Sequence, residues 1–239
     1  MDLGLKGKIA IITGGTDGIG KAAALIFAKE GAKVAICART QANLDKTAAE
    51  IKALGAEVLA VSADMAKPAD IQRFMDAVVK QFGGIDILVN NAGLSMRGKF
   101  LEITDDKWHE DIELKVFGAI RCCRLAIPHM KKRGGGFIIN ISSLAGKNPF
   151  VDGAAYCASK AGLNAFSEVL MQELRHDDIR VSYVLPGSVA TEFVGGDASK
   201  GADWKIGADE VADVVIGLLH HHPRSLPSRV ELRPSKPKK

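Results

Sequence analysis

The chain has 239 residues, of which 47% are hydrophobic and 25% charged, which is ordinary for a globular protein and long enough for one well-buried domain. Its net charge of +4 is too small to indicate nucleic-acid binding, and no segment approaches the ~20 apolar residues of a membrane span. The N-terminus shows no signal peptide, and the cysteines lack metal-ligand spacing. We therefore expect a cytoplasmic protein with buried, reduced cysteines and no metal, membrane or nucleic-acid partner.

Strands and helices are predicted to alternate along the whole chain. The predicted strands are short apolar runs over residues 8–13, 34–38, 57–62, 85–89, 137–141, 181–185 and 229–232. Helices are predicted over residues 21–30, 41–54 and 208–220, and two more begin at Pro68 and Ala154. A long helix is predicted to begin at a Thr104 cap and to run toward Met130, with a bend at Pro128.

Most of these strands are apolar on both faces, which predicts an α/β fold with a Rossmann-type, doubly wound parallel sheet of about seven strands. No repeat or linker divides the sequence, so residues 1–239 are expected to form a single domain. Within it, residues 190–206 are rich in Gly, Asp and Ala and are predicted to be a mobile loop. The C-terminal SKPKK is predicted to be a solvated tail.

A glycine-rich loop, TGGTDGIG over residues 13–20, follows the first predicted strand and opens a helix. Glycines there let the backbone turn tightly and approach a pyrophosphate at the helix N-terminus. Residues 15–22 nearly spell the P-loop of kinases and ATPases, but Ala22 stands where that motif needs a magnesium-binding Ser or Thr. The remaining registers, including the alanine-ended GIGKAA of residues 18–23, predict a dinucleotide ligand.

The end of the second predicted strand indicates which dinucleotide binds. NAD sites usually carry an acidic residue there to hold the ribose hydroxyls, whereas an arginine suits the 2′-phosphate of NADP. Here the sequence is Cys37-Ala38-Arg39-Thr40, without a carboxylate. Arg39 as a solvated strand-end charge is the alternative, but the glycine loop before it favours NADP(H).

Three chemically useful side chains are predicted to converge at the carboxyl edge of the sheet, where open α/β folds place ligands. The fifth predicted strand ends at Ser142 and Ser143, and the next helix carries Tyr156 and Lys160 four residues apart, on one face. An ammonium beside a phenol favours the phenolate and lowers the pKa of the phenol. A hydroxyl, a phenol and an ammonium together form a device that adds a proton to an oxygen or removes one.

These motifs jointly resemble the short-chain dehydrogenase/reductase family over nearly the whole chain. They are TGGTDGIG, the Asn90-Asn91-Ala92-Gly93 that follows the fourth strand, Ser143 with the YCASK of residues 156–160, and the PGSVAT of residues 186–191. The 13-residue gap from Ser143 to Tyr156 also matches the family and favours Ser143 over Ser142 as the catalytic serine.

The resemblance implies a reaction as well as a fold. Tyr156 would act as the general acid when a ketone is reduced and as the base when an alcohol is oxidised. Lys160 would lower the pKa of the tyrosine and hold the nicotinamide ribose, and Ser143 would hydrogen-bond the substrate oxygen. The expected partners are a small-molecule ketone or alcohol and further copies of the chain in a homo-tetramer or homo-dimer.

The resemblance further implies an NADP(H) site that includes an adenine contact at Asp64 and nicotinamide carboxamide contacts at Val189 and Thr191. The full implied set is Gly14, Thr16, Asp17, Gly18, Ile19, Gly20, Arg39, Asp64, Met65, Asn91, Ala92, Gly93, Tyr156, Lys160, Pro186, Gly187, Val189 and Thr191.

One position departs from the family pattern. The long helix usually carries an asparagine that completes a proton relay through water to the lysine, but Lys115 occupies that place here. A lysine cannot accept a hydrogen bond as an amide oxygen does, and a second ammonium would disfavour the charged form of Lys160. Either Lys115 points toward Glu113 or Asp111, or the relay is rebuilt. Lys115 is thus a tolerated variant or the cause of an altered pH dependence.

The leading functional hypothesis is an NADP(H)-dependent oxidoreductase that interconverts a ketone and a secondary alcohol. Its apolar pocket is predicted to contain Leu94, Met96, Leu144, Phe150 and Phe193. One alternative is a 3-oxoacyl-[acyl-carrier-protein] reductase, in which basic residues such as Arg97 would meet an acidic carrier. The other, motivated by Lys115, is a nucleotide-binding or structural relative that has lost turnover.

Overall fold

Seven strands form one sheet in the order β3-β2-β1-β4-β5-β6-β7, and every neighbouring pair is parallel. Their bounds are β1 Ile9–Thr13, β2 Lys33–Ala38, β3 Val58–Ser62, β4 Ile87–Asn90, β5 Gly136–Ile141, β6 Ile179–Pro186 and β7 Arg229–Leu232. The strand order reverses between β1 and β4, which makes the crevice at their carboxyl ends the expected ligand site of such a sheet. The predicted Rossmann-type α/β fold is confirmed.

This computed structural model describes residues 4–191, 193, 203–222 and 224–237. Most of the predicted mobile loop, namely residue 192 and residues 194–202, lies outside the described residues. Among the described residues, no helix is long and apolar enough to cross a membrane, and no cluster of three or more His, Cys, Asp or Glu side chains is placed to hold a metal ion.

Helices cover both faces of the sheet because alternate strand residues point to opposite sides. Their bounds are α1 Gly18–Lys29, α2 Gln41–Ala53, α3 Pro68–Phe82, α4 Asp105–Ile112, α5 Gly118–Lys132, α6 Ala154–Leu174 and α7 Ala208–Gly217. On β1, Ile12 packs into the core layer that contains Phe27 of α1, whereas Ile11 packs into the opposite layer with Phe74 of α3. Both layers are fully buried, which fixes the register of the strands and therefore the positions of their carboxyl ends.

The long helix predicted from Thr104 toward Met130 is found, with a π-helical turn inside it. A π-helical turn over Glu113–Phe117 separates α4 from α5, and Thr104 holds the N-cap position of α4 without a side-chain cap hydrogen bond. α5 continues through Pro128, so the predicted bend there does not end the helix. The other predicted bounds differ by a few residues at most. Because π turns often occur at functional sites, the position of this one near Lys115 is informative.

The four cysteines, Cys37, Cys122, Cys123 and Cys157, are unpaired and buried, as expected. Burial raises the pKa of the Cys37 and Cys123 thiols to about 12, and it also raises the pKa of Cys122. Since the thiolate is the reactive form, these three side chains serve as small apolar packing groups.

Candidate active site

The carboxyl ends of β1, β4, β5 and β6 open into a single cleft of about 1140 Å³. Ser143 and every residue of the implied NADP(H) set except Gly20 line this cleft. Gly20 lies behind the loop, where a Cβ atom would come within 2.1 Å of the Gly14 carbonyl oxygen. Only a glycine therefore lets helix α1 start so close to the loop that precedes it.

The glycine loop presents its backbone to the cleft at the N-terminus of α1. Gly14 and Gly18 have positive φ angles of 66° and 48°, which side-chain-bearing residues rarely adopt. Asp17 is the N-cap of α1, and its carboxylate accepts a hydrogen bond from Gly18 N at 2.7 Å. Free N–H groups and the helix dipole favour an anion at such a terminus.

Asn91 fastens this loop to the segment that follows β4. Its side-chain amide donates to the carbonyl oxygens of Thr13 and Gly14, at 3.0 and 3.1 Å. In return, the Thr13 hydroxyl accepts from the backbone N–H groups of Asn91 and Ala92, both at 3.0 Å. The Asn91 side chain, implied as a cofactor contact, thus uses its donors to hold two cleft-lining backbone segments together.

Arg39 lies exposed at the end of β2 and lines the cleft. No carboxylate among the described residues forms an ion pair with it, and its backbone carbonyl accepts from the Ser62 hydroxyl at 3.2 Å. Asp64, after β3, also lines the cleft, while its Oδ1 accepts from Ala66 N at 3.0 Å. A guanidinium without a carboxylate partner at this place suits a phosphate group.

The side chains of the two serines after β5 form hydrogen bonds with different partners. The Ser142 hydroxyl donates to Asn164 Oδ1 at 2.5 Å, so it is used inside the fold. The Ser143 side chain is hydrogen-bonded to Tyr156 and accepts from Ala145 N at 3.1 Å. Only Ser143 is therefore engaged with the tyrosine that faces the cleft.

Tyr156 and Lys160 stand one helical turn apart on α6 and are both buried. Burial raises the pKa of the Tyr156 phenol, and the hydrogen bond with Ser143 and the charge of Arg97 offset part of that rise. The structure therefore does not show the lowered tyrosine pKa that was expected from Lys160. The phenol keeps its proton at neutral pH and is a proton donor.

The pKa of Lys160 is lowered to about 7, first by burial and then by the positive charge of Lys115. Its Nζ donates to the Ile141 carbonyl oxygen at 2.7 Å. This is the direction that a second ammonium near Lys160 was expected to give.

Lys115 lies in the π turn and forms an ion pair with Asp111 in which both side chains are fully buried. Of the two partners that the sequence left open, Asp111 is the one found, since Glu113 pairs with Arg121 instead. Burial lowers the pKa of Lys115, and the hydrogen bond from Lys115 to Asp111 opposes that change. The Lys115 ammonium also lies 5.0 Å from the centroid of the Tyr156 ring.

The sequence model of the short chain dehydrogenase family matches residues 8–201. The chain belongs to this family. An uncharacterized oxidoreductase of Staphylococcus epidermidis is 31% identical over 230 residues, which is 96% of this chain and 98% of that protein. L-sorbose reductase from Gluconobacter frateurii, complexed with NADPH and L-sorbose, has a TM-score of 0.89 and 33% identity over 98% of each chain. A metagenomic short-chain oxidoreductase in complex with NADP has a TM-score of 0.86 and 36% identity, over 98% of this chain and 99% of that one.

In this short-chain dehydrogenase, the cleft beside Tyr156 is walled by aromatic rings. The ring centroids of Phe150 and Phe193 lie 6.4 and 6.2 Å from that of Tyr156. Of the predicted pocket residues, Leu94, Leu144, Phe150 and Phe193 line the cleft, whereas Met96 does not. The pocket is thus largely apolar around the phenol.

The sequence placed Arg97 near the pocket, as a contact for an acidic carrier protein. The Arg97 guanidinium lines the cleft and lies 5.0 Å from the Phe150 ring centroid. Arg233, Pro234 and Pro237 also line the cleft, which the sequence did not indicate. Pro237 is nevertheless exposed, as a solvated C-terminal tail would be. The usable signal is topological, because β7 is parallel to the other strands and its carboxyl end must reach the same edge.

Proposed function

We propose that this short-chain dehydrogenase uses NADP(H) to interconvert a carbonyl compound and a secondary alcohol. The observation that carries the proposal is the convergence of Ser143, Tyr156 and Lys160 on the wall of a cleft that continues to the glycine loop. The complexes of its structural relatives with NADPH and NADP support the choice of cofactor.

The residues of the chain fit this cofactor in chemistry and in space. The N-terminus of α1 would hold the pyrophosphate, and the Arg39 guanidinium would bind the 2′-phosphate. Lys160 and the backbone after β4 would hold the nicotinamide ribose at the other end of the cleft. When bound, the cofactor supplies or accepts the hydride.

The chain's own contribution is the proton and the placement of the substrate. Tyr156 donates its phenol proton to the carbonyl oxygen, and the Ser143 hydroxyl stabilises the charge that develops on that oxygen. Because burial raises the pKa of Tyr156, the phenol is protonated at neutral pH and can act as the general acid in reduction. Phe150 and Phe193 give the substrate an apolar wall beside the phenol.

The expected homo-dimer or homo-tetramer stays a prediction. Helix α6 exposes the small residues Ala158, Gly162 and Ala165, and on the same helix Val169 is 53% exposed. A second copy packed on this face would bury them at close range. Light scattering on the purified chain checks the prediction by its molar mass.

The function is tested by NADPH oxidation over a panel of ketones, ketoses and 3-oxoacyl thioesters. Tyr156→Phe should lower kcat by ~10²–10⁴-fold, since it removes the general acid, and should retain NADPH binding through the other cofactor contacts. Tyr183→Phe is the matched control, because that hydroxyl bonds to Glu168 at 3.1 Å and does not line the cleft.

Each rival function has its own result in the same assay. Full activity of Tyr156→Phe would refute the assigned acid. Tight NADPH binding without turnover of any substrate would favour the nucleotide-binding relative. A strong preference for carrier-bound over free 3-oxoacyl substrates would favour the acyl-carrier-protein reductase.

A further inference from the structure

Behind the Tyr156 ring lies a charged pair that the proposed reaction leaves unused. The ammonium of Lys115 and the carboxylate of Asp111 form an ion pair at i,i+4, and neither side chain has any exposed surface. Removing both charges from water is costly, and one ion pair only partly compensates the cost. The second carboxylate oxygen, Asp111 Oδ2, is buried without a hydrogen-bond partner among the described residues. An arrangement this expensive beside the catalytic helix calls for a functional explanation.

The pair lies next to the reacting groups. Lys115 Nζ lies 5.0 Å from the centre of the Tyr156 ring. A small internal cavity is lined by both Lys115 and Ile141, and the Ile141 carbonyl accepts the hydrogen bond of Lys160 at 2.7 Å. The two lysines are therefore neighbours inside the protein, in a region of low dielectric where like charges repel strongly.

The two lysines differ in their partners. Lys115 is bonded to a carboxylate, whereas the described partner of Lys160 Nζ is a neutral carbonyl oxygen. With two buried ammonium groups and one carboxylate, the lysine without the carboxylate gives up its proton first. The lowered pKa of Lys160, about 7, agrees with this order.

We propose that Asp111 and Lys115 are positioning residues that set the protonation of Lys160. Asp111 keeps the charge on Lys115, and the Lys115 ammonium makes Lys160 the lysine that gives up its proton first. The enzyme then carries a titrating lysine beside its proton-donating tyrosine. The effect of this pair on catalysis rests on the proposed function. Its effect on the protonation of Lys160 does not, because it is a property of the protein without substrate.

Other titratable and charged groups surround this cluster. They are Glu110 beside Lys115, Arg97 and Cys157 near Tyr156, and Tyr156 beside both lysines. For Lys160, the lowering by Lys115 outweighs the raising by Asp111. Removal of the whole pair should therefore raise the pKa of Lys160, and removal of Lys115 alone should raise it further, because the Asp111 carboxylate then faces Lys160.

The test is a pH titration of lysine side chains labelled with ¹³C at the ε carbon, followed by NMR, with Lys160→Met identifying the Lys160 signal. The double variant Asp111→Leu/Lys115→Met replaces the buried ion pair with apolar groups of similar size, a change that proteins often tolerate. In the double variant, the midpoint of the Lys160 titration should rise by roughly one pH unit. In the single variant Lys115→Met, the same midpoint should rise further. Lys131→Met is the control, since it removes an ammonium from the far end of α5 that pairs with Asp177 at 2.7 Å.

The outcomes separate this inference from the proposed function. An unmoved Lys160 midpoint in the folded double variant would overturn the inference, whether or not the enzyme is active. In an active enzyme, the alkaline limb of the kcat/KM profile for reduction should move upward with that midpoint, because the Lys160 ammonium then persists to higher pH. If the Lys160 titration midpoint shifts but the protein turns over no substrate, the inference is supported and the proposed function is refuted. A purely structural pair would change the unfolding midpoint and leave the titration of Lys160 where it was.

Discussion

The two halves of the cleft are built by different means. The half beside β1 and β2 is shaped by backbone: two glycines at positive φ, a helix N-terminus, and a loop fastened by the Asn91 amide. The half beside β5 is shaped by buried side chains that can change charge, namely Tyr156, Lys160 and Lys115. The first half costs the fold little electrostatic free energy, whereas the second concentrates desolvated ionisable groups at one place.

This difference assigns separate tasks to the two halves. A backbone cradle binds an anion in the same way across a wide pH range, since N–H groups do not titrate. Buried ionisable groups respond to pH and to each other, which is what proton transfer requires. Variants in the first half should therefore change cofactor affinity, and variants in the second half should change turnover and its pH dependence.

In the half of the cleft beside β5, the catalytic half, the largest difference in expected effect is between substitutions of the adjacent residues Ser143 and Ser142. Ser143→Ala removes the hydroxyl that is bonded to Tyr156, and kcat should fall by ~10²–10³-fold, as for the loss of one oxyanion donor. Ser142→Ala removes a buried hydrogen bond to Asn164, which should cost about 0.5–1.5 kcal/mol of unfolding free energy with turnover retained. Steady-state kinetics and thermal unfolding of both variants provide the check. The reverse pattern would exchange the roles of the two serines.

A smaller effect is expected in the cofactor half from Arg39→Ala. Loss of a charge-assisted contact to the 2′-phosphate should weaken NADPH binding by ~10–100-fold, because hydrogen bonds to charged groups contribute about 1.5–3 kcal/mol. The Kd of NADH, which lacks that phosphate, is the internal control and should hardly change. Isothermal titration with both cofactors measures the two constants. An equal loss for NADPH and NADH would mean that Arg39 supports the loop and does not read the phosphate.

The backbone half was largely predictable from the sequence. Glycine loops, strand ends and an arginine after β2 are encoded by local residue types, and a parallel sheet brings all carboxyl ends to one edge. Ser143 was chosen over Ser142 by its spacing to Tyr156, and the geometry agrees because the neighbouring hydroxyl turns toward Asn164. The positions of these residues are predictable because each depends on a few consecutive residues and a fixed topology, while their roles stay predictions.

The electrostatics of the catalytic half were not predictable in the same way. The sequence left Glu113 and Asp111 open as partners of Lys115, since the π turn that selects Asp111 depends on packing between α4, α5 and α6. The sequence also predicted a lowered pKa for Tyr156, but burial, a property of the whole fold, reverses the sign. The contribution of Pro237 to the cleft likewise depends on where β7 ends in space.

A further effect of the catalytic half is a slope in the pH dependence of stability. Unfolded Lys160 titrates near the ordinary value of 10.5, whereas the folded chain loses that proton at about 7. Between these values the unfolded chain binds more protons, so the free energy of unfolding should rise with pH, by at most ~1.4 kcal/mol per pH unit for one proton. Lys160→Met removes this group, and its advantage over the parent chain should be greatest below pH 7 and shrink toward pH 10.5.

Urea unfolding of both proteins between pH 6 and 10 measures that difference directly, because other titrating groups are common to the two chains and cancel. Lys131→Met subtracts the effect of losing one positive charge at the surface, since that side chain is 48% exposed. Parallel curves for the parent and Lys160→Met would show that Lys160 keeps its proton in the folded state. The catalytic half would then lack the pH response that distinguishes it from the backbone cradle, and the inferred role of Asp111 and Lys115 would fail with it.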